Sequence, residues 1–370
     1  MTSFSKTHQA INQGISAGQH TGAQLYVSRH GTALTDTAFG EAQPGVEMTR
    51  DSIALWMSAG KPIAAIAIAQ LLDAGELRLD DRVEMYIPEF GQHGKAPITI
   101  RHLLLHTGGF RGPMGSFEPG SWQSQVDRAC NLRLEPMWVP GEKAGYHPGS
   151  SWFILGEVIR RLTGKPYQQA IRDDIFFPLG EADVWVGMPL DVWADYGGRI
   201  VATLITDPLQ KSVVNKMQDA AINELARPGA NARGPIRALG RLYESLIRSK
   251  AGADPGATRT LGISPATVDL FTSRQRVGMF DHTFKCTLDW GLGFMIDSKQ
   301  YAGEHPYGYG AHASPATFGH SGNQCSCAFA DPTNGLVVAW VCNGMPGDEA
   351  HDRRVRAINA AVYEDLELTS

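Results

Sequence analysis

Residues 58–72 of the chain read S-A-G-K-P-I-A-A-I-A-I-A-Q-L-L, and this stretch decides the fold prediction. The apolar run that begins at Pro62 is long enough for a buried helix. Because proline has no backbone N–H, it belongs in the first turn of a helix, which places the helix start at about Ser58 or Ala59. Gly75 suits the position just beyond the helix, where glycine readily adopts a left-handed conformation.

Ser58 and Lys61 are three residues apart in this predicted helix. Residues at this spacing are neighbours one turn apart, so the lysine amine is expected beside the serine hydroxyl, near the positive end of the helix dipole. A serine needs a base to become a nucleophile, and Lys61 can serve if burial keeps its amine neutral. A helix-capping serine followed by a first-turn lysine is the alternative, because S-x-x-K also occurs by chance.

The segments around this helix alternate in a definite order. A helix is predicted before a hairpin, and a long, mainly helical region cut by loops rich in Gly and Pro follows the Ser58 helix. Strands and a closing helix then end the chain. The predicted ranges are 5–17 (helix), 24–28 and 33–39 (hairpin), 77–273 (mainly helical), 291–296, 325–330 and 336–342 (strands), and 349–366 (helix).

This order predicts an α/β fold of the α+β type. Residues 1–76 and 280–370 are expected to form one antiparallel sheet flanked by the terminal helices. Residues 77–279 are expected to form a large, mostly helical lobe. A site between the two lobes can draw side chains from both, as ligand pockets often do at such boundaries.

Composition narrows the classes of function. Of 370 residues, 43% are hydrophobic and 19% charged, and the formal net charge is −5. This charge argues against nucleic acid or an anionic membrane as the main partner, and no apolar run reaches the length of a membrane span. Five scattered cysteines fit reduced thiols, and the first residues do not read as a secretory signal. A cytoplasmic protein is therefore expected.

Two further segments carry side chains suited to a cleft. Residues 145–152 read G-Y-H-P-G-S-S-W and place Tyr146 on a loop before a helix, from which its phenol can reach a cleft. A packing aromatic with its hydroxyl in water is the alternative. Residues 319–322 read G-H-S-G and open a strand whose polar pair and final glycine can border a cleft, with room for a substrate against the backbone. A loop histidine with a turn glycine is the alternative there.

In this order and spacing, the three segments resemble the motifs of the serine β-lactamase and penicillin-binding-protein superfamily. That superfamily carries S-x-x-K, then Y-x-N or S-x-N, then K-T-G. The resemblance is strongest to its class-C-like branch of esterases, D-aminopeptidases and acyltransferases. Flanking segments over residues 75–83, 86–90 and 100–109 share the style of this family, so the resemblance covers nearly the whole chain.

The resemblance implies a role for each matching residue. Ser58 is expected to be the acylated nucleophile, Lys61 its activating amine, and Tyr146 the partner base that later protonates the leaving group. The backbone N–H groups of Ser58 and Asn323 are expected to form the oxyanion hole. The residues expected to bind substrate are His147, Trp290, His320, Ser321 and Gly322. A solvated loop position for His147 and a core position for Trp290 are equally good interpretations.

Two residues depart from the family pattern. Pro148 stands where the family has asparagine, and proline offers no side-chain donor to a substrate amide. His320 stands where the family has lysine, and histidine is mostly neutral near neutral pH, whereas lysine helps to hold a substrate carboxylate. Both departures turn the expectation away from β-lactams and peptidoglycan and towards esters.

We therefore expect a serine hydrolase that acts through an acyl-enzyme on a small ester, thioester or amide. An acyltransferase that passes the acyl group to an amine or alcohol is one alternative, and a non-catalytic binding protein on the same scaffold is another. No cofactor is expected. No metal is expected either, because Cys325 and Cys327 lack the usual spacing of a structural zinc site. The oligomeric state stays open.

Overall fold

The structure, a computed structural model, describes residues 3–112, 119–210, 216–250, 260–301 and 308–369. Its strands are β1 (Gly22–Arg29), β2 (Thr32–Gln43), β3 (Val46–Glu47), β4 (Ala54–Leu55), β5 (Trp185–Val186), β6 (Leu204–Ile205), β7 (Ala232–Gly234), β8 (Arg276–Asp281), β9 (Cys286–Trp290), β10 (Met295–Ile296), β11 (Phe318–Gly322), β12 (Ser326–Asp331), β13 (Leu336–Cys342) and β14 (Gly344–Met345).

The helices lie at both ends of the chain and throughout its middle. None of those in the described ranges is long and apolar enough to cross a membrane. They are α1 (Ser5–Ser16), α2 (Lys61–Asp73), α3 (Ile100–Leu104), α4 (Trp122–Asn131), α5 (Ser150–Thr163), α6 (Tyr167–Ile171), α7 (Leu190–Tyr196), α8 (Ala220–Glu224), α9 (Ile236–Lys250), α10 (Pro265–Thr272) and α11 (Asp348–Asp365).

The main sheet has nine antiparallel strands in the order β3-β2-β1-β13-β12-β11-β10-β9-β8. The first hairpin and the last strands are adjacent, because β1 pairs with β13 and sets Leu25 opposite Trp340. The predicted mixed fold, with one antiparallel sheet built from both ends of the chain, is confirmed. Two small sheets, β4-β7-β5 and β14-β6, join the middle of the chain to this frame.

Helices cover both faces of the main sheet. On one face, the Trp340 indole N–H donates to Asn359 Oδ1 of α11 at 2.9 Å. On the other face, the ring of Tyr26 lies against Gly240 of α9, where a Cβ would come within 2.3 Å of Cδ1, and the Tyr26 hydroxyl donates to Glu244 at 2.7 Å. The two faces follow from the register, since successive side chains of a strand point to opposite sides.

The sheet layer extends further into the middle of the chain than the sequence predicts. The predicted boundary at residue 280 falls inside β8, and α9 packs on the sheet although it lies within 77–279. The strand expected over 291–296 is only β10, and the β8–β9 hairpin was not foreseen. β8 is an edge strand with four of its six residues at least partly exposed, so its sequence lacks a clear apolar alternation.

The helix that carries Ser58 and Lys61 begins close to its predicted start. A 3₁₀ turn over Met57–Gly60 leads directly into α2, and Gly75 beyond the helix has a φ of +74°. Nearly all of α2 is buried, so it forms the centre of the core between sheet and helical segment. Close approach to a neighbouring loop is possible because Gly293 has no side chain; a Cβ there would lie 2.4 Å from that of Ala65.

A buried carboxylate joins the helices behind the Tyr146 loop. Glu157 of α5 is fully buried and accepts from the Trp122 indole of α4 at 2.7 Å, and from Arg160 and Arg161, each at 2.7 Å. Burial alone would raise the pKa of Glu157, but these three donors outweigh it and lower the pKa from 4.5 to about 2. The ionised form is therefore the one that stabilises this helical layer.

Replacing Glu157 tests this interaction through the pH dependence of stability. Because the folded-state pKa lies below the unfolded one, the carboxylate stabilises the fold above pH 4.5 and loses this contribution as pH falls towards about 2. Glu157→Gln should lower the free energy of unfolding by about 2 kcal/mol near neutral pH, with a deficit that shrinks in acid. Urea unfolding across pH measures it, with the exposed Glu364→Gln as control. A deficit that does not vary with pH would contradict the assignment.

Candidate active site

The backbone just before Ser58 is held in an unusual conformation. Met57 has a φ of +51°, a region that side chains other than glycine rarely adopt. The Ser326 hydroxyl donates to the Trp56 carbonyl at 2.7 Å, and a Cβ on Gly322 would come within 2.3 Å of that carbonyl oxygen. The end of β11 is therefore pressed against the turn that presents Ser58, and only glycine fits at the contact.

Ser58 and Lys61 meet as their spacing predicts. Lys61 Nζ lies 2.9 Å from Ser58 Oγ, and it donates to the Gly229 carbonyl at 2.7 Å. Lys61 is fully buried, and that burial lowers the pKa of its amine well below the ordinary value of 10.5. Among the described residues no carboxylate is paired with it. A neutral amine can give one N–H to Gly229 and offer its lone pair to the serine proton.

Tyr146 is fixed from both sides of its backbone. Its N–H donates to Asp281 Oδ1 at 3.0 Å, and its carbonyl accepts from the Thr283 hydroxyl at 2.9 Å. Its ring lies 5.1 Å from Lys61 Nζ. Burial raises the pKa of the Tyr146 phenol above its ordinary range, and the nearby Ser58 hydroxyl opposes that shift. The phenol is therefore a protonated group held next to the serine and the lysine.

His106 holds the loop that carries Tyr146. In the sequence it stood out only as part of residues 100–109, which resemble the family. Its carbonyl accepts from the Gly145 N–H at 2.9 Å, and its Nδ1 accepts from the His147 N–H at 3.0 Å. His106 is buried with a φ of +57°, and burial lowers its pKa well below 6.5. A neutral imidazole in a strained turn therefore sets the position of the residues on either side of Tyr146.

His147 and Trp290 lie away from the cleft surface, and Trp290 has the core position that was one of its two interpretations. His147 is fully buried and its Nε2 accepts from the Phe110 N–H at 3.3 Å, so it is neither a solvated loop residue nor part of the cleft surface. Trp290 is also fully buried, with its ring 5.9 Å from that of Tyr146 and 4.7 Å from that of His106. Both residues form a layer behind Tyr146.

His320 has a defined tautomer. Its Nδ1 lies 2.7 Å from the Ser321 carbonyl, which only accepts hydrogen bonds, so Nδ1 carries the proton and Nε2 the lone pair. Within the described ranges Nε2 is buried and has no hydrogen-bond partner. Burial, reinforced by Lys61, lowers the pKa of His320 to about 3. The residue at the position of the third-motif lysine is therefore a neutral acceptor.

A cleft of about 610 Å³ opens at Ser58 and is large enough for a small organic substrate. It brings together six of the predicted residues, while Lys61 lies buried behind Ser58. Other residues that line the cleft were not predicted from local motifs, because they come from segments that are distant in the sequence. Its lining residues are Met57, Ser58, Tyr146, Pro148, Ala230, Thr283, Phe284, His320, Ser321, Gly322, Asn323, Gln324, Asp348, His351, Asp352 and Val355.

The backbone beside Ser58 suits a developing negative charge. Asn323 directly follows β11, whose last residue, Gly322, packs on the segment before Ser58. Within the described ranges, neither the Ser58 N–H nor the Asn323 N–H donates to a backbone carbonyl. Both residues line the cleft, and backbone N–H groups without a carbonyl acceptor are the kind of donor that an oxyanion requires.

Comparison with known proteins identifies the family. The Beta-lactamase family model matches residues 7–363, so the chain belongs to the beta-lactamase family. It is similar to esterase EstB of Burkholderia gladioli, with 32% identity over 369 residues that cover 91% of this chain and 90% of that protein.

Solved structures show the same likeness. The crystal structure of a penicillin-binding-protein homologue from Caulobacter crescentus matches with a TM-score of 0.78 and 27% identity, over 98% of this chain and 97% of that one. That of a family VIII carboxylesterase matches with a TM-score of 0.77 and 26% identity, over the same shares. The resemblance stated from the motifs is therefore confirmed, and the chain has both esterase and penicillin-binding-protein relatives.

The Gly229 contact with Lys61 yields a prediction with a matched control. A Cβ on Gly229 would come within 2.5 Å of Lys61 Cγ, whereas one on Gly164 would meet nothing within 4 Å; the φ values are +79° and +70°. Gly229→Ala should slow labelling of Ser58 by an activated ester at least about tenfold, because the amine is displaced, and Gly164→Ala should leave the rate unchanged. Intact-mass measurement of the adduct over time gives both rates. Equal slowing in the two variants would show that backbone strain alone is responsible.

Proposed function

We propose that this protein is a carboxylesterase-like serine hydrolase that acts on small esters through an acyl-enzyme formed on Ser58. The contact of 2.9 Å between Ser58 Oγ and the fully buried Lys61 amine, whose pKa burial lowers well below its ordinary value, carries the proposal. This pair opens on a cleft that also contains the Tyr146 phenol. Such an arrangement activates a hydroxyl without a metal or cofactor.

Acylation would proceed through proton transfers among Ser58, Lys61 and Tyr146. The Ser58 proton passes to the Lys61 lone pair as Oγ forms a bond with the ester carbonyl carbon. The N–H groups of Ser58 and Asn323 hold the resulting oxyanion. As the tetrahedral intermediate collapses, Tyr146 gives its proton to the departing alkoxide, the C–O bond breaks, and Tyr146 recovers a proton from the Lys61 ammonium.

Deacylation would reverse these roles with a new nucleophile. Water gives a proton to the neutral Lys61 amine as its oxygen bonds to the acyl carbon. The bond between that carbon and Ser58 Oγ then breaks, Oγ takes a proton back from the Lys61 ammonium, and the acid leaves. An alcohol or amine in the place of water would give a transacylation product by the same steps. Hydrolysis and transfer therefore differ only in what enters the cleft, and the ratio of acid to acyl adduct measures that difference.

Esters are favoured over β-lactams and peptides by the electrostatics of the cleft. His320 offers a neutral acceptor where a lysine would attract a substrate carboxylate, and Pro148 offers no amide donor. The relative with 32% identity over most of both chains is named an esterase, which supports this choice. Burying a lysine amine against a serine without a carboxylate partner costs stability. A non-catalytic binding protein would gain nothing from that cost.

Replacing the nucleophile tests the proposal directly. The parent protein should form a covalent acyl adduct with a short-chain nitrophenyl ester and hydrolyse it. Ser58→Ala should form none and lose at least about a thousandfold in kcat/KM. Intact mass and nitrophenolate release measure the two effects, and a thermal melt confirms that the variant folds. An adduct that persists on Ser58→Ala would place the nucleophile elsewhere, and no adduct on the parent across several acyl chain lengths would refute the enzyme assignment.

Replacing the phenol tests the proton transfer. Tyr146→Phe keeps the ring that packs on Phe284 at 4.6 Å but removes the hydroxyl, so the fold should survive. The value of kcat should fall about a hundredfold or more, because the leaving alkoxide loses its proton donor. The loss should be smaller for a nitrophenyl ester, whose leaving group needs no proton, than for an ethyl ester. Equal losses for both esters would exclude Tyr146 as the acid.

A further inference from the structure

One wall of the cleft comes from the start of α11. Its lining residues are Asp348, His351, Asp352 and Val355, in the same cleft as Ser58. The two aspartates are four residues apart and so lie on one face of the helix. They are the charged side chains among the described residues that line the cleft, and both are acidic. A substrate therefore meets a wall of negative charge.

Neither carboxylate is paired with a cation within the described ranges. Asp348 accepts from the Gln324 amide at 2.8 Å, a neutral donor. Burial raises the pKa of Asp352, Arg356 on the next turn lowers it, and Asp348 raises it further. The attraction of Arg356 outweighs the repulsion by Asp348, but neither aspartate forms an ion pair in the described part of the chain, so both carboxylates can attract a cation in the cleft.

Arg354, the buried cation of the same helix, forms no ion pair with either aspartate among the described residues. It gives its hydrogen bonds to the carbonyls of Gln324 and Gly344, at 2.8 and 3.1 Å, and to imidazole nitrogens of His20 and His351, at 3.1 and 3.0 Å. All four partners are neutral. Arg354 therefore ties the helix to the end of the sheet and leaves the acidic wall as it is.

His320 is a second feature of the cleft that favours a donor or a cation over a carboxylate. His320 is only 2% exposed, lines the cleft, and has its Nδ1–H committed to the Ser321 carbonyl. Its Nε2 carries a lone pair that has no partner among the described residues, so His320 brings an acceptor and no positive charge to the cleft wall. A buried acceptor without a donor is costly unless a ligand supplies one.

We propose that the cleft selects esters that carry a positive charge in the leaving group, with Asp348 and Asp352 as the residues that recognise the charge. The inference rests on the proposed ester hydrolysis and deepens it by naming the substrate class. Esters of amino alcohols fit this description: the acyl carbon is placed at Ser58 and the cation lies against α11. Substrates with a carboxylate are repelled by the same wall.

Two esters of nearly equal shape test the charge preference: acetylcholine and neohexyl acetate, in which a carbon replaces the quaternary nitrogen. The measured quantity is the ratio of their kcat/KM values in each variant, because differences in intrinsic reactivity cancel when variants are compared. Asp352→Asn and Asp348→Asn should each lower the ratio about fivefold, mainly through KM.

Glu349→Gln is the matched control. It removes one negative charge from the same turn of α11, but Glu349 is highly exposed, is paired with Arg353 and does not line the cleft. The ratio in this variant should equal that of the parent. A ratio that stays constant in the two aspartate variants, or that falls equally in Glu349→Gln, would overturn the proposal.

Binding of choline to the Ser58→Ala protein separates this inference from the proposed function. Calorimetry should show that Asp352→Asn in this background weakens choline binding about fivefold, whether or not the parent hydrolyses either ester. Hydrolysis of neohexyl acetate without any preference for the cation would refute the inference and leave the esterase proposal intact. Choline binding that depends on Asp352 with no turnover of either ester would refute the esterase proposal alone.

Discussion

The burial of the Lys61 amine against Ser58 is the constraint on which the rest of the site depends. An ammonium taken out of water without a carboxylate partner is so unfavourable that the amine loses its charge instead. A neutral amine still needs its N–H and its lone pair satisfied, and Gly229 and Ser58 provide the two partners. The bare glycine at 229 and the strained Met57 turn are consequences, because each lets a partner come close enough.

The features that could be predicted from the sequence are those set by short-range rules. Pro62 and Gly75 mark the two ends of one helix, and the spacing of Ser58 and Lys61 then puts both side chains on one face. The terminal strands follow from alternation and from turn residues such as those at 331–335, so the mixed fold was predictable. Tyr146 reaches the cleft from the loop before α5, and His320 reaches it from the middle of β11, whose alternation directs the side chain.

The features that could not be predicted depend on packing between distant segments. His147 adjoins Tyr146 in sequence, yet its ring turns inward, where the Phe110 N–H donates to it and the His106 ring stacks on it. Helix α9 looks like any amphipathic helix in the sequence, and its contacts with Tyr26, through Gly240 and Glu244, show that it covers the sheet. Asp348 and Asp352 belong to no motif, and they reach the cleft because α11 follows β14, which pairs with β6 from the middle of the chain.

His320 and the aspartates of α11 both disfavour a substrate that carries a carboxylate. A neutral His320 in place of a lysine removes an attraction for a substrate carboxylate, which by itself would only weaken its binding. The aspartates of α11 add a repulsion, and specificity is set by the difference between the two kinds of ligand rather than by either affinity alone. The same two aspartates attract a cationic substrate and repel one that carries a carboxylate. The departure at His320 is therefore better understood as half of a change in charge preference, of which α11 supplies the other half.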